Sequence, residues 1–219
     1  KPLYIARRGD HLFAASEMKA LIAVGFGEGV DRESLHHYLS LGYVPAPRTI
    51  YEDIQEVPAG AIMSIDTGLV TRTEAFWTLP APREQEVTFD EAVAETERRL
   101  REAVRIRLRA DVPVGVFLSG GIDSGLLVAM AAQEASKPVR TFTIAFGEER
   151  FDESGYARTV ADRYATTHSR IEVSPALDTL VPKIAAAYDE PFADSSAIPT
   201  FAVAEAAARE LRVVLNGEG

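Results

Sequence analysis

The spacing of apolar positions changes character once along the chain. Up to about residue 80 the apolar positions come in short alternating runs broken by turn residues. Leu3–Arg7 and His11–Ser16 flank Arg8-Gly9-Asp10, and Ala61–Ile65 and Val70–Ala75 flank Asp66-Thr67-Gly68, so each pair predicts a hairpin. Between them Asp31 suits a helix N-cap, with a helix through Leu41 that puts Leu35, Tyr38 and Leu39 on one face. The partner strands of Leu3–Arg7 and His11–Ser16 are expected upstream of this chain. Pro80-Ala81-Pro82-Arg83 favours an extended linker.

Beyond the linker, strands and helices alternate. Thr88-Phe89-Asp90-Glu91 has capping-box spacing, and the helix it opens runs to about Arg109 with Val93, Leu100, Val104 and Leu108 on one stripe. Val112–Leu118 is a continuous apolar run, as expected of a parallel strand buried on both faces. Further strands are expected at Arg140–Phe146, Ser169–Val173 and Arg212–Leu215. Helices are expected at Leu126–Ala135, Tyr156–Tyr164, Ile198–Glu210 and from Ser174-Pro175 to Tyr188. This order predicts an α/β domain, a doubly wound parallel sheet, in residues 84–219. Residues 1–80 form a separate α+β region.

Composition narrows the partners. A net charge of −10, with 47% hydrophobic and 26% charged residues, is ordinary for a globular chain. It argues against nucleic acid, which needs clustered Lys and Arg. The Arg-rich stretch Glu97–Arg109 interleaves Glu and has the spacing of a solvated helix face. No run approaches the roughly 18 apolar residues of a membrane span. The chain has no cysteine, so disulfides, Cys-type zinc sites and a thiol nucleophile are excluded within it, and a cytoplasmic location is expected. It opens at Lys1 rather than Met and stops at Gly219 in a glycine-bearing loop, so it is expected to be part of a longer protein.

The chemistry concentrates in Val114-Gly115-Val116-Phe117-Leu118-Ser119-Gly120-Gly121-Ile122-Asp123-Ser124. A strand–loop–helix unit presents such a loop at the carboxyl end of the strand, where ligands bind. Two glycines let backbone approach a phosphate, the free N–H groups of the next helix face an anion, and Ser119 and Ser124 add hydroxyls. The bland alternative is a polar turn that happens to contain Gly-Gly. Neither the Gly-x-x-x-x-Gly-Lys-Ser/Thr nor the Gly-x-Gly-x-x-Gly fingerprint fits. His36 and His37 are neighbours on a helix and do not share a face, so a metal pair is not expected. His168 is expected to precede a strand, and Trp77 to lie in a core. Ser16-Glu17 has no His spaced to make it a hydrolase site.

Ser119-Gly120-Gly121-Ile122-Asp123-Ser124 resembles the Ser-Gly-Gly-x-Asp-Ser signature of the ATP pyrophosphatases. The flanks Asp111–Gly115, Phe151-Asp152-Glu153-Ser154, Asp189–Thr200 and Val213–Gly219 are similar to the glutamine-dependent asparagine synthetase family, with Asn216 where that family has Ser. Lys1–Tyr4, Phe13–Leu21, Val57–Gly60 and Phe76-Trp77 resemble the rear of its glutaminase domain. The resemblance implies a glutaminase part in 1–80 and the front of a synthetase domain in 84–219. It implies ATP bound by Leu118, Ser119, Gly120, Gly121, Asp123, Ser124, Ile144, Asn216 and Gly217, with Mg²⁺ at Asp123. Catalytic roles would fall to Asp123 and to Glu218, which would orient substrate or ammonia.

The implied reaction takes aspartate, glutamine or ammonia, and ATP to asparagine, glutamate, AMP and pyrophosphate through an acyl-adenylate. Two alternatives stand beside it. One is a related amidotransferase acting on a sugar-linked or peptide carboxylate, and the other is a nucleotide-binding paralogue without catalysis. The glutaminase nucleophile of that family is an amino-terminal Cys, so this stretch alone is expected to be inactive. Association with a second copy, as a homodimer, is compatible with its strand edges.

Overall fold

The computed structural model describes residues 1–81, 87–146, 152–173 and 177–217. They separate into two compact units. The first comprises Lys1–Arg83 with Val181–Ser195, and the second Glu84–Leu180 with Ser196–Gly219.

In the first unit, β1 (Tyr4–Arg8) and β2 (His11–Ala15) form the hairpin expected around Gly9. Helix α1 (Met18–Ala23) was not foreseen, being only six residues long and starting at Glu17 without a side-chain cap. Helix α2 (Arg32–Leu41) is capped by Asp31, whose carboxylate accepts from the Glu33 and Ser34 amides. The apolar face expected on α2 is not buried: Leu35 and Leu39 are exposed, and Ser34 is the residue that packs inward. Strand β3 (Ile54–Glu56) pairs with β1, giving the antiparallel order β2-β1-β3. This corrects the expectation that β1 lacks its partners here. Tyr4, Ala6, Met18, Leu21, Phe26 and Ile54 make the core beneath it.

Strands β4 (Ala61–Ile65) and β5 (Thr71–Ala75) form the second expected hairpin, whose turn is held by the Asp66 carboxylate accepting from the Gly68 and Val70 amides. Trp77, expected in a core, is 57% exposed. Its N–H donates to the Gly60 carbonyl, which holds it on the outside of this hairpin. Part of the expected linker, residues 82–83, lies outside the described residues.

The second unit begins with α3 (Phe89–Arg107), which carries the predicted capping box between Thr88 and Glu91. There follow β6 (Val114–Phe117), α4 (Ile122–Glu134), β7 (Arg140–Phe146), α5 (Ser154–Arg163) and β8 (Thr167–Val173). Helix α6 (Leu177–Ala187) contains Pro182, and the chain closes with α7 (Ala197–Ala207) and β9 (Val213–Leu215). The expected cap at Ser174-Pro175 lies outside the described residues. His168 sits inside β8 rather than before it, because β8 pairs with β7 along seven residues.

All four strands of the second unit are parallel, in the order β8-β7-β6-β9. Side chains alternate across them. Val116 and Leu118 face a core with Val104, Val128 and Ala157, from α3, α4 and α5. Phe117, Phe142 and Ile144 face Val203, Ala207 and Leu211 on and just after α7. Helices therefore cover both faces, as the unbroken apolar runs required. Burying one such large side chain contributes roughly 1.5–3 kcal/mol. From β6 the chain winds outward to β8, then returns to the other side of β6 as β9. The strand order reverses between β6 and β9, and in open α/β sheets a crevice opens at that reversal.

Candidate functional site

The register brings two loops together at this reversal. Val116 pairs with Leu215, so the residues after β6 and after β9 leave the sheet side by side. Leu118 is fully buried; its N–H donates to the Phe142 carbonyl at 2.9 Å, and its own carbonyl accepts from the Thr143 hydroxyl. The loop therefore springs from a fixed point.

The turn itself is held by its serines. The Ser124 hydroxyl accepts from the Ser119 amide at 3.2 Å, lies 3.0 Å from the Ser119 hydroxyl and donates to the Gly121 carbonyl at 3.2 Å. The Ser119 hydroxyl accepts from the Gly121 amide at 3.3 Å. Ser124 is buried and braces the loop, whereas Ser119 faces outward. Gly120 has φ of +90°, and a Cβ there would stand 2.7 Å from the Glu153 carbonyl oxygen, so only glycine fits without strain. Helix α4 starts immediately at Ile122, with Gly121 as an N-cap that offers no side chain. The first-turn amides of α4 have no intrahelical acceptor, and together with the helix dipole they favour an anion.

Asp123 is exposed on that first turn. Gly217 closes against it from the other loop: a Cβ on Gly217 would meet the Ser124 amide nitrogen at 2.9 Å. Asn216 stands between two recesses. One, of about 220 Å³, has apolar walls from Phe117, Leu118, Phe142, Ile144 and Val203 and polar groups from Ser119, Glu153, Ser196 and Thr200. The other, of about 420 Å³, joins Asp123 and Gly217 to Leu126, Leu127 and Met130. Glu218 lies outside the described residues. Every other residue expected at the site borders one of the recesses or belongs to the loop between them.

Sequence reading gave no role to Glu153, Ser196 or Thr200, although they fall inside the two segments, Phe151–Ser154 and Asp189–Thr200, whose resemblance had been noted. The segment carrying Glu153 is fixed. Asp152 accepts from the Ser154 amide at 3.0 Å, and Arg170 donates to the Ser154 hydroxyl at 3.1 Å and to Asp152 at 3.3 Å. The bonds from Ser154 and Arg170 hold the Asp152 carboxyl below its ordinary range. Among the described residues no group of three or more His, Cys, Asp or Glu is placed to cage a metal ion.

A doubly wound parallel sheet with an anion-accepting loop at its switch point defines the class of this unit. The asparagine synthase family matches residues 95–219, and a glutamine amidotransferase domain matches residues 1–77. The chain belongs to the asparagine synthase family. A Methanocaldococcus jannaschii protein, provisionally named glutamine-hydrolyzing asparagine synthetase 2, is 34% identical over 229 residues, covering 100% of this chain and 43% of its own. Bacillus subtilis glutamine-hydrolyzing asparagine synthetase 1 is 34% identical over 221 residues, covering 100% of this chain and 34% of its own. The chain thus spans less than half the length of these relatives. Among solved structures, NH3-dependent NAD synthetase from Campylobacter jejuni aligns over 57% of this chain and 56% of its own, at 14% identity and a TM-score of 0.43.

Proposed function

We propose that this chain is part of an ATP-dependent glutamine amidotransferase that converts aspartate, glutamine and ATP to asparagine, glutamate, AMP and pyrophosphate. The observation that carries this reading is the meeting of the Ser119–Ser124 loop with Asn216-Gly217 at the reversal of the parallel sheet. Residues 1–80 are the rear of the glutaminase domain and 84–219 the front of the synthetase domain, an assignment supported by the family matches at 1–77 and 95–219.

In this reading the first-turn amides of α4 and the backbone of Gly120 and Gly121 receive the phosphates, with Ser119 beside them and Ser124 bracing the turn. The base lies against Leu118 and Ile144. A carboxylate oxygen of the acceptor attacks the α-phosphorus, pyrophosphate leaves, and ammonia then displaces AMP from the acyl carbon. Asn216, Gly217 and Glu218 flank the reacting phosphate.

Asp123 cannot attract a phosphate directly, since both are anionic. It is the residue that would hold Mg²⁺. The donor type fits: Mg²⁺ takes one or two hard carboxylate oxygens and completes its shell with phosphates and water. The ion would supply neutralisation of phosphate charge. The test is to give the full-length protein ATP, Mg²⁺, aspartate and glutamine and to identify the products. AMP and pyrophosphate in equal amounts are expected; ADP and orthophosphate as sole products would overturn the reading.

A further inference from the structure

Glu153 places a carboxylate in the recess that is to receive a polyanion. A carboxylate there is repelled by phosphate, so it must face a part of the ligand that offers donors. Its backbone position is fixed from two sides. Its carbonyl oxygen is the atom a Cβ on Gly120 would meet at 2.7 Å, and Glu153 Cβ itself would be 3.2 Å from that point. On the other side, the Asp152–Ser154–Arg170 bonds lock the start of α5. The Arg170 guanidinium is already committed to Asp152 and Glu172, so it does not neutralise Glu153.

The recess is graded from one end to the other. Phe142, Ile144 and Val203 make an apolar slot suited to a planar base, and Ser119 marks the end nearest the phosphate loop. Glu153 contributes backbone to the phosphate loop and side chain to the wall of the same recess, which puts it between the two ends. The part of a nucleotide between base and phosphates is the sugar, and its hydroxyls are neutral donors.

We propose that Glu153 accepts hydrogen bonds from the ribose hydroxyls of the nucleotide and makes this site selective for ribonucleotides. The proposal rests on the nucleotide-binding reading above and deepens it. A carboxylate bonded to a hydroxyl is a charge-assisted contact, and losing it costs roughly tenfold to a hundredfold in affinity.

The experiment measures dissociation constants of the full-length protein with Mg²⁺ for ATP, 2′-deoxyATP and 3′-deoxyATP, for the wild type, Glu153→Gln and Glu153→Ala. Wild type should bind ATP at least about tenfold tighter than one of the deoxy forms. Glu153→Ala should weaken ATP by about that factor while leaving the discriminated deoxy form nearly unchanged, so the ratio collapses toward one. Glu153→Gln, closest in shape, should fall between, which separates loss of the acceptor from a folding defect.

Three outcomes would overturn the proposal. Equal weakening of ATP and both deoxy forms would mean that Glu153 acts through the metal or the loop. An unchanged ratio with a raised KM for aspartate would assign the carboxylate to the substrate ammonium. An unchanged ratio with altered discrimination between ATP and ITP would assign it to the base. Wild-type protein that binds no ATP at all would instead sink the nucleotide reading itself, a result distinguishable from the other three.

Discussion

The two units hold their charged groups by contacts of different reach. In the first, the Lys19 amide donates to Asp189 at 3.2 Å across 170 positions, and the Ile50 amide donates to Glu190 at 3.0 Å across 140. Burial pushes Glu190 up to about 7, against the amide bond from Ile50, with Glu56 and Asp189 adding to the rise. In the second, near neighbours do most of the work. Arg98 and Arg99, three and four residues along α3, hold Glu95 down to about 2, and the phosphate loop is tied by bonds spanning two to five residues. A site made from a contiguous loop can be assembled as soon as its strand and helix form. The acid pair of the first unit exists only when chain ends far apart in sequence have come together.

Removing core volume should separate the two units most strongly. Phe142 is fully buried in the second unit and also walls the recess, and Met18 is fully buried in the first. Phe142→Ala should cost about 3–5 kcal/mol and Met18→Ala about 2–5 kcal/mol, as large-to-small changes in cores do. In denaturant titrations both should lower the midpoint. Only Phe142→Ala should also weaken ATP binding by the protein that remains folded, and equal loss of ATP affinity in both would erase the distinction.

The exposed acid of the second unit should matter through chemistry rather than stability. Asp123→Ala should lower turnover roughly 10²–10³-fold, the scale of one lost electrostatic contact in a desolvated site, with little change in thermal midpoint. Steady-state kinetics indistinguishable from wild type would remove Asp123 from the mechanism.

The smallest effect expected is pH-dependent and belongs to the first unit. Glu190 has its folded value raised to about 7 from the ordinary 4.5, so between those values the folded state keeps a proton that the unfolded chain releases. Its contribution is complete below about 4.5 and is lost as pH rises through about 7. Glu190→Gln removes that loss while keeping an acceptor for the Ile50 amide. The variant should unfold a few degrees higher than wild type at pH 8, with the gap closing at pH 5. Because Glu190 is only half-buried, solvent screening keeps the effect modest. A gap that widens toward low pH would reverse the sign and refute the account.

The same difference in reach explains what could be read in advance. The Asp31 cap, the Thr88–Glu91 capping box, the Asp66 turn and the loop after β6 depend on residues within a few positions of each other, and each was legible. Strand β3 was not, because its three residues gain their identity from β1, some fifty positions away. Helix α1 lacks a cap and has too few residues for a period to show. His168 was set outside β8, yet the seven-residue ladder with β7 includes it and brings its ring 3.0 Å from the Thr141 hydroxyl. At the site, the loop was plain in the sequence. The wall formed by Glu153, Ser196 and Thr200 was not, since it is assembled from separate segments by the winding of the sheet.

The claim on which the rest depends is that the loop at Ser119–Ser124 presents ATP for attack at its α-phosphorus. Full-length protein turning over aspartate labelled with ¹⁸O in its side-chain carboxylate tests this directly. When ammonia displaces AMP, the bridging carboxylate oxygen leaves with the nucleotide, so ¹⁸O should be recovered in AMP and none in pyrophosphate or orthophosphate. Label recovered in orthophosphate, with AMP unlabelled, would show attack at the γ-phosphorus and contradict the role given to this loop.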